Sequence, residues 1–297
     1  MGIKALGYVV IETTRGDAWD DYLTGIVGAM RGTDGPAGVA LYRIDDRPFR
    51  FWVEAGSADR LVLAGYEVGD ADELAALRGK VTAAGRHVVD GTVEEARARG
   101  VSAFFRTSDP SGNGLEFFHG DRRDTVKFVS PAGVSGFVTG DMGMGHVVFA
   151  APAFDETHEF YEGIGFSDTD VARFRFSDDP VDPGMGFTFM HADNGRHHSV
   201  ALGEIPQPPS GCVHVMLEMK SQLDVGRCHD RMRQAKVPES ATLGCHVNDR
   251  TFGFYMQTPA GFDLEIGCDP LVIDPATWVP TAHCRPSEWG HVWAWQK

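Results

Sequence analysis

The chain has 297 residues, 42% of them hydrophobic and 23% charged, with a formal net charge of −15. That length suits two globular domains, and the acidity argues against a nucleic-acid backbone or an anionic membrane as partner. No apolar run is long enough to span a bilayer, and the opening MGIKALGYVV lacks an A-x-A-like cleavage site and reads as a strand. The five cysteines are Cys212, Cys228, Cys245, Cys268 and Cys284. An odd number without a C-x-x-C pair points to reduced thiols and a cytoplasmic setting, against a disulfide framework or a cysteine-held metal.

In chain order, an alternating strand over 3–12 is followed by a helix with Trp19, Tyr22, Leu23, Ile26, Val27 and Met30 on one face, capped by Asp17. Short strands follow at 38–44 and 48–54, split by Asp45-Asp46-Arg47. A second module opens with a strand at 61–68 and a helix at 71–84, with Leu74, Leu77, Val81 and Ala84 inward and Gly85 at a left-handed C-terminal position. Strands at 101–107 and 114–119 flank the turn Asp109-Pro110-Ser111-Gly112. The Gly- and Pro-containing segment Asp121–Asp141 reads as a connection, dividing the chain into domains 1–134 and 135–297.

The second half predicts a strand at 144–150, a helix at 153–162, strands at 184–192 and 197–203, a strand at 211–219, a helix at 222–235, and strands at 242–247, 252–258 and 262–268. The fold class is therefore α+β, with two similar domains, each a pair of β-α-β-β-β modules forming a cupped mixed sheet. The tail 279–297, which carries Trp289, Trp293 and Trp295, is expected to pack back over the domain, since its tryptophans would otherwise expose much apolar surface.

The two halves repeat. GMGHVVFA near 145 matches LGYVVIE near 6, VHVMLEM at 213–219 matches VLAGYEV at 62–68, and TPAGFDLEIG near 259 matches SDPSGNGLEFF near 108. His146, His214 and Glu265 in the second copy stand where the first has Tyr8, Leu63 and Glu116. Two histidines and one carboxylate are the ligand set of a non-haem Fe(II) oxygenase. Alternation aims His146 inward with Val148, and aims Glu265 away from Leu264 and Ile266. Glu116 shares the context of Glu265 without histidine partners and reads as a structural relic.

Several motifs in one order give the chain a wider likeness: LGY at 6–8, FVTGDMGMGH at 137–146, GRHHSVAL at 195–202, HVMLE at 214–218, GCHVNDRTFGFY at 244–255, TPAGFDLEIG at 258–267 and WGH at 289–291. Over nearly its whole length the chain resembles the type I extradiol dioxygenases of the vicinal oxygen chelate superfamily, nearest to the 2,3-dihydroxybiphenyl 1,2-dioxygenase group. The resemblance implies the glyoxalase-like fold and Fe(II), with Mn(II) the rival ion, held by His146, His214 and Glu265. It further implies O2-dependent cleavage of a catechol beside its diol, such as 2,3-dihydroxybiphenyl or a fused-ring diol, and a homo-oligomer, an octamer by preference.

By the same resemblance His198 is the acid–base group, while His246 and Tyr255 bind the substrate hydroxyls or the oxygenated intermediate. His197 is expected on the opposite strand face, as structure only. Asn248 either contacts substrate or shapes a turn, and Asp249 either orients a histidine or does the same. Val148, Phe187, Met190, Ala201 and Pro280 are candidate pocket walls, each equally explained as core. His283 and His291 read as lid or packing. The acidic stretch Ala172–Gly186 departs from the family pattern where the family has its substrate mouth, which bears on ring-size preference. Two other functions fit the fold class: a glyoxalase-like metal isomerase or transferase, and a non-catalytic aromatic-binding protein. A full triad beside His198, His246 and Tyr255 in one half favours the dioxygenase over both.

Overall fold

The computed structural model describes residues 2–33, 35–175 and 181–296. The first half runs β1 (Ile3–Thr13), α1 (Gly16–Asp20), β2 (Met30–Arg31), β3 (Val39–Arg43), β4 (Phe51–Ala55), β5 (Arg60–Val68), α2 (Ala71–Ala83), β6 (Val89–Asp90), α3 (Val93–Arg99), β7 (Ala103–Ser108) and β8 (Gly114–His119). The second runs β9 (His146–Ala150), α4 (Phe154–Ile164), β10 (Ser167–Phe174), β11 (Met185–His191), β12 (Val200–Gly203), β13 (His214–Glu218), α5 (Gln222–Gln234), β14 (Glu239–His246), β15 (Phe252–Gln257) and β16 (Asp263–Cys268). The tail adds β17 (Thr281–His283) and β18 (Ser287–Gly290). No helix is long and apolar enough to cross a membrane among the described residues.

The duplication is visible in the topology. The first sheet is ordered β2-β3-β4-β1-β5-β8-β7-β6, and the second holds the same sequence of neighbours, β10-β11-β12-β9-β13-β16-β15-β14, with β17 and β18 added at its two edges. Both are mixed sheets, as the sequence repeat leads one to expect. One buried cluster, from Ile3 through Tyr66, Phe149 and Leu217 to Ile266, joins the two halves, and α5 is tied across them where Arg231 Nε donates to the Ile26 carbonyl at 2.8 Å.

Several local expectations differ from the structure. Asp17 does not cap the first helix: Arg15 holds the cap position without a side-chain bond, and Asp17 lies in the first turn, where its charge still favours the positive helix end. That helix widens into π-turns over Asp21–Val27 before closing at Gly28. Thr24 Oγ1 donates to the Asp20 carbonyl at 2.7 Å, competing for the acceptor of an α-helical bond. α3 was not anticipated from periodicity because it has under two turns, yet its capping box is legible: Glu95 N–H donates to Thr92 Oγ1 at 3.2 Å, and Thr92 N–H donates to Glu95 Oε2 at 2.8 Å. β10 is a further addition, its alternation broken by the register shift between Asp168 and Asp170. The central part of the acidic stretch lies outside the described residues.

The first sheet's cup is filled by its own side chains. Tyr8, Val10, Leu63, Trp52, Phe104 and Phe118 form a separate buried cluster there. The Tyr8 ring occupies the space that a side chain at Gly65 would need, since a Cβ there would lie 2.4 Å from it. Glu116 is no idle relic. Fully buried, it accepts from Tyr8 Oη at 2.7 Å and from Arg99 Nε at 2.6 Å and Arg106 Nε at 2.7 Å, so two guanidinium groups compensate its charge. Tyr8→Phe removes one bond to this buried carboxylate and is expected to cost about 1.5–3 kcal/mol. Denaturant unfolding measures that loss, and metal analysis should find iron binding unchanged.

Candidate metal centre and cavity

Three adjacent strands bring the candidate ligands together. Met216 on β13 stands opposite His146 on β9 and opposite Glu265 on β16, and residues opposite one another in neighbouring strands share a face. His214, two residues before Met216, shares that face and is paired with Val148. The first sheet has the same register, Tyr8 to Gly65 to Glu116 with Leu63 opposite Val10, so the correspondence seen between the two halves of the sequence is also a spatial one. Gly145 makes this approach possible. It adopts φ +144°, and a Cβ there would fall 1.8 Å from the Met216 carbonyl oxygen, a collision no rotamer relieves.

His146 Nε2 and His214 Nε2 are 3.2 Å apart, and they lie 3.4 and 3.3 Å from Glu265 Oε2. A ligand sphere of about 2.1 Å radius puts neighbouring ligands on the order of 3.0–3.4 Å apart, so the donor set fits a divalent first-row metal. Burial holds His146 down at about 4 despite Glu265, which keeps it in the neutral form that binds metal. Burial would raise Glu265, but hydrogen bonds from His146, His214 and His246 carry it well below the usual carboxylate range. Glu265 Oε1 is buried and is approached by His246 Nε2 at 3.4 Å. Two imidazoles and an ionised carboxylate suit a hard-to-borderline cation such as Fe(II).

Around this group lies a cavity of about 380 Å³, within the range of small-molecule sites. Its polar walls are His146, His198, His214, His246, Asn248, Asp249, Tyr255 and Glu265. The His198 ring lies 3.9 Å from that of His146, centroid to centroid, and burial, then His146 and His197, push it well below the ordinary histidine value. His246 Nε2 is 2.6 Å from Tyr255 Oη and 3.4 Å from Glu265 Oε1, while its Nδ1 faces the Pro286 carbonyl at 2.9 Å. Burial opposes protonation of His246, but Glu265 and Asp249 outweigh it and raise it to about 9. A cation between His146, His214 and Glu265 would neutralise that carboxylate and release His246 towards neutrality. Tyr255 is raised well above 10 by burial and the two acids, so its hydroxyl stays a donor.

Val148, Phe187, Asn248 and Asp249 line the cavity. Asp249 does not bond a histidine; it accepts from Thr251 N–H at 2.9 Å and Thr251 Oγ1 at 2.6 Å, holding the turn that presents Asn248. Pro280 is misplaced by the sequence reading. It is exposed and leads into the edge strand β17, whereas Pro286, leading into β18 beside β14, lines the cavity. Met190 and Ala201 are fully buried away from the cavity.

Strand alternation does not decide the positions of His197 and His198, because both lie in irregular backbone before β12. His291 packs against the His246 ring at 4.3 Å, as a packing residue would. The tail's tryptophans divide. Trp289 and Trp295 stay 53% and 63% exposed, against expectation, yet Trp295 and the half-buried Trp293 both line the cavity. The sequence reading missed these two, along with Phe174, Met185, Phe189, Ile205 and Val213. The alternating W-A-W of the tail was the available signal for the first pair.

Residues 143–266 match the profile of the family described as Glyoxalase/Bleomycin resistance protein/Dioxygenase superfamily, and residues 6–56 match that of Dihydroxybiphenyl dioxygenase BphC D1. The chain is 39% identical over 295 residues to an iron-dependent extradiol dioxygenase of Rhodococcus jostii, covering 98% of this chain and 97% of the relative. It is 38% identical over 293 residues to a biphenyl-2,3-diol 1,2-dioxygenase of Paraburkholderia xenovorans, covering 98% and 96%. A crystal structure described as BphC, a halotolerant catechol dioxygenase, superposes with a TM-score of 0.89 at 31% identity, covering 98% of this chain and 95% of that one.

Proposed function

Because the chain belongs to the type I extradiol dioxygenases of the vicinal oxygen chelate superfamily, an iron-dependent group of ring-cleaving oxidoreductases, we propose that it opens an aryl-substituted or fused-ring catechol of the 2,3-dihydroxybiphenyl type. The observation that carries this reading is the juxtaposition of three ligand atoms 3.2–3.4 Å apart with a cavity whose remaining walls are mostly aromatic and aliphatic. A second aromatic ring would bury its faces against Phe174, Phe187, Phe189 and Trp293, where apolar burial is worth about 25 cal/mol per Å².

In this reading His146, His214 and Glu265 hold Fe(II), which when bound supplies the redox-active Lewis-acid centre that couples the electron-rich diol to O2. His198, kept neutral by burial, accepts the proton of one diol hydroxyl and returns it later in the cycle. Tyr255, oriented by His246, donates to the other diol oxygen, and Asn248 adds a polar contact at the rim. The apolar wall excludes water, so that the proton stays with His198 and the substrate. Both oxygen atoms of O2 enter the ring-opened hydroxy-keto-dienoate product. Residues 1–134 form the domain without a metal and 135–297 the catalytic domain. By family resemblance we expect a cytoplasmic homo-oligomer, an octamer.

The test is anaerobic Fe(II) loading followed by oxygen uptake with catechol, 3-methylcatechol, 2,3-dihydroxybiphenyl and 1,2-dihydroxynaphthalene. A yellow ring-cleavage chromophore with the highest kcat/KM for a two-ring diol is the expected result. Better turnover of unsubstituted catechol would sink the two-ring assignment.

A further inference from the structure

Behind His198 lies a chain of buried polar groups that the proposed reaction has not yet used. His197 is 1% exposed and Asp170 0%. His197 Nε2 is 3.0 Å from Asp170 Oδ2, an ion-pair approach outside hydrogen-bond geometry, and neither atom has a hydrogen-bond partner among the described residues. On its other side His197 Nδ1 is 3.1 Å from His198 Nδ1. The arrangement is held from outside. Thr281 Oγ1 on β17 donates to Asp170 Oδ1, and His283 Nε2 stands 3.6 Å from that oxygen. Thr169 Oγ1 donates to the His197 carbonyl at 2.6 Å, and the indole of Trp278 donates to the Thr169 carbonyl at 2.9 Å while its ring meets that of His197 edge-on.

We propose that Asp170 and His197 are positioning residues that set the tautomer of His198, leaving its Nε2 unprotonated for the substrate. This rests on the assignment of His198 as the proton acceptor. A carboxylate only accepts, so the buried charge of Asp170 3.0 Å away favours the His197 proton on Nε2. With that single proton on His197, its Nδ1 is bare and accepts, and the Nδ1–Nδ1 contact is then satisfied only if His198 carries its own proton on Nδ1. Nε2 of His198 is thereby a lone-pair acceptor from the start, before any substrate arrives. Free imidazole side chains do not hold this tautomer uniformly, so the buried aspartate two residues removed in contact order decides which ring nitrogen can act as base. The same logic, a carboxylate fixing a histidine's tautomer, operates in hydrolytic triads; here a second imidazole is interposed.

Two measurements test it. Long-range ¹⁵N–¹H correlation spectra of the metal-free protein locate the proton of each neutral imidazole, and the His198 proton is expected on Nδ1. Finding it on Nε2 overturns the proposal without any variant. In the iron-loaded enzyme, Asp170→Leu is expected to lower kcat by about 10-fold or more, as for a misdirected general base, with KM within about two-fold. His197→Phe, should the first variant not fold, is expected to do the same. In a His198→Gln background the added Asp170→Leu change should cost less than about two-fold, since the group it positions is already gone. An equal loss in both backgrounds marks a merely structural role and also overturns the proposal. Normal turnover of His198→Gln alone would instead refute the base assignment on which it stands, a distinct result.

Discussion

His214→Ala is expected to yield a folded protein that binds no stoichiometric iron and does not cleave catechols. His214 supplies one of three ligand atoms within 3.2–3.4 Å of one another, and among the described residues no other side chain of its strand belongs to that ligand group. Binding to the folded state alone stabilises a protein by about 4 kcal/mol at a ligand concentration 1,000-fold above Kd. A melting temperature rising by roughly 10 °C on anaerobic Fe(II) addition is therefore expected for the parent and absent in the variant. The repeat provides an internal control. Leu63 occupies the equivalent position in the first sheet and is 6% exposed. Leu63→Ala should cost about 2–5 kcal/mol through the cavity it leaves, yet keep full iron content. An iron-replete, active His214→Ala protein would refute the ligand assignment.

His198→Gln is expected to separate binding from chemistry. The side chain lines the cavity but lies outside the three-atom ligand group, so iron content and substrate KM should stay near those of the parent. Loss of a positioned proton acceptor typically lowers the rate by about 10²- to 10⁴-fold, and kcat should fall by that order. Burial already keeps His198 neutral, which makes it a competent acceptor at neutral pH and glutamine a poor replacement. Steady-state oxygen uptake together with iron analysis checks both halves of the expectation; a parallel loss of iron would move His198 into the metal's own coordination group.

Legibility from sequence followed the length and regularity of the signal. The βαβββ order, the positions of α2, α4 and α5, and the pairing of His146, His214 and Glu265 with Tyr8, Leu63 and Glu116 could be read because strands repeat every two residues and the modules repeat along the chain. α3 escaped because a seven-residue helix has too few turns for periodicity to register, although Thr92 and Glu95 spelled its start. Pro280 was misassigned and Pro286 missed because a residue in a tail has no period to anchor it; which one reaches the cavity depends on β17 and β18 joining opposite edges of one sheet.

By itself, then, the order of residues determined which three side chains could share one face of a sheet and which half of the molecule carried them, since register and alternation are local rules repeated in both copies. Only the tertiary structure decided what surrounds them. It showed that Tyr8, Leu63, Trp52 and Phe118 fill the first cup while the second stays open. It also revealed that Glu116 balances two arginines, that Trp293 and Trp295 come back from the chain's end to wall the cavity, and that Asp170 and His197 stand behind His198. Those contacts join residues far apart in the chain through close packing, and packing depends on the shape of everything else in the core, which no short pattern encodes.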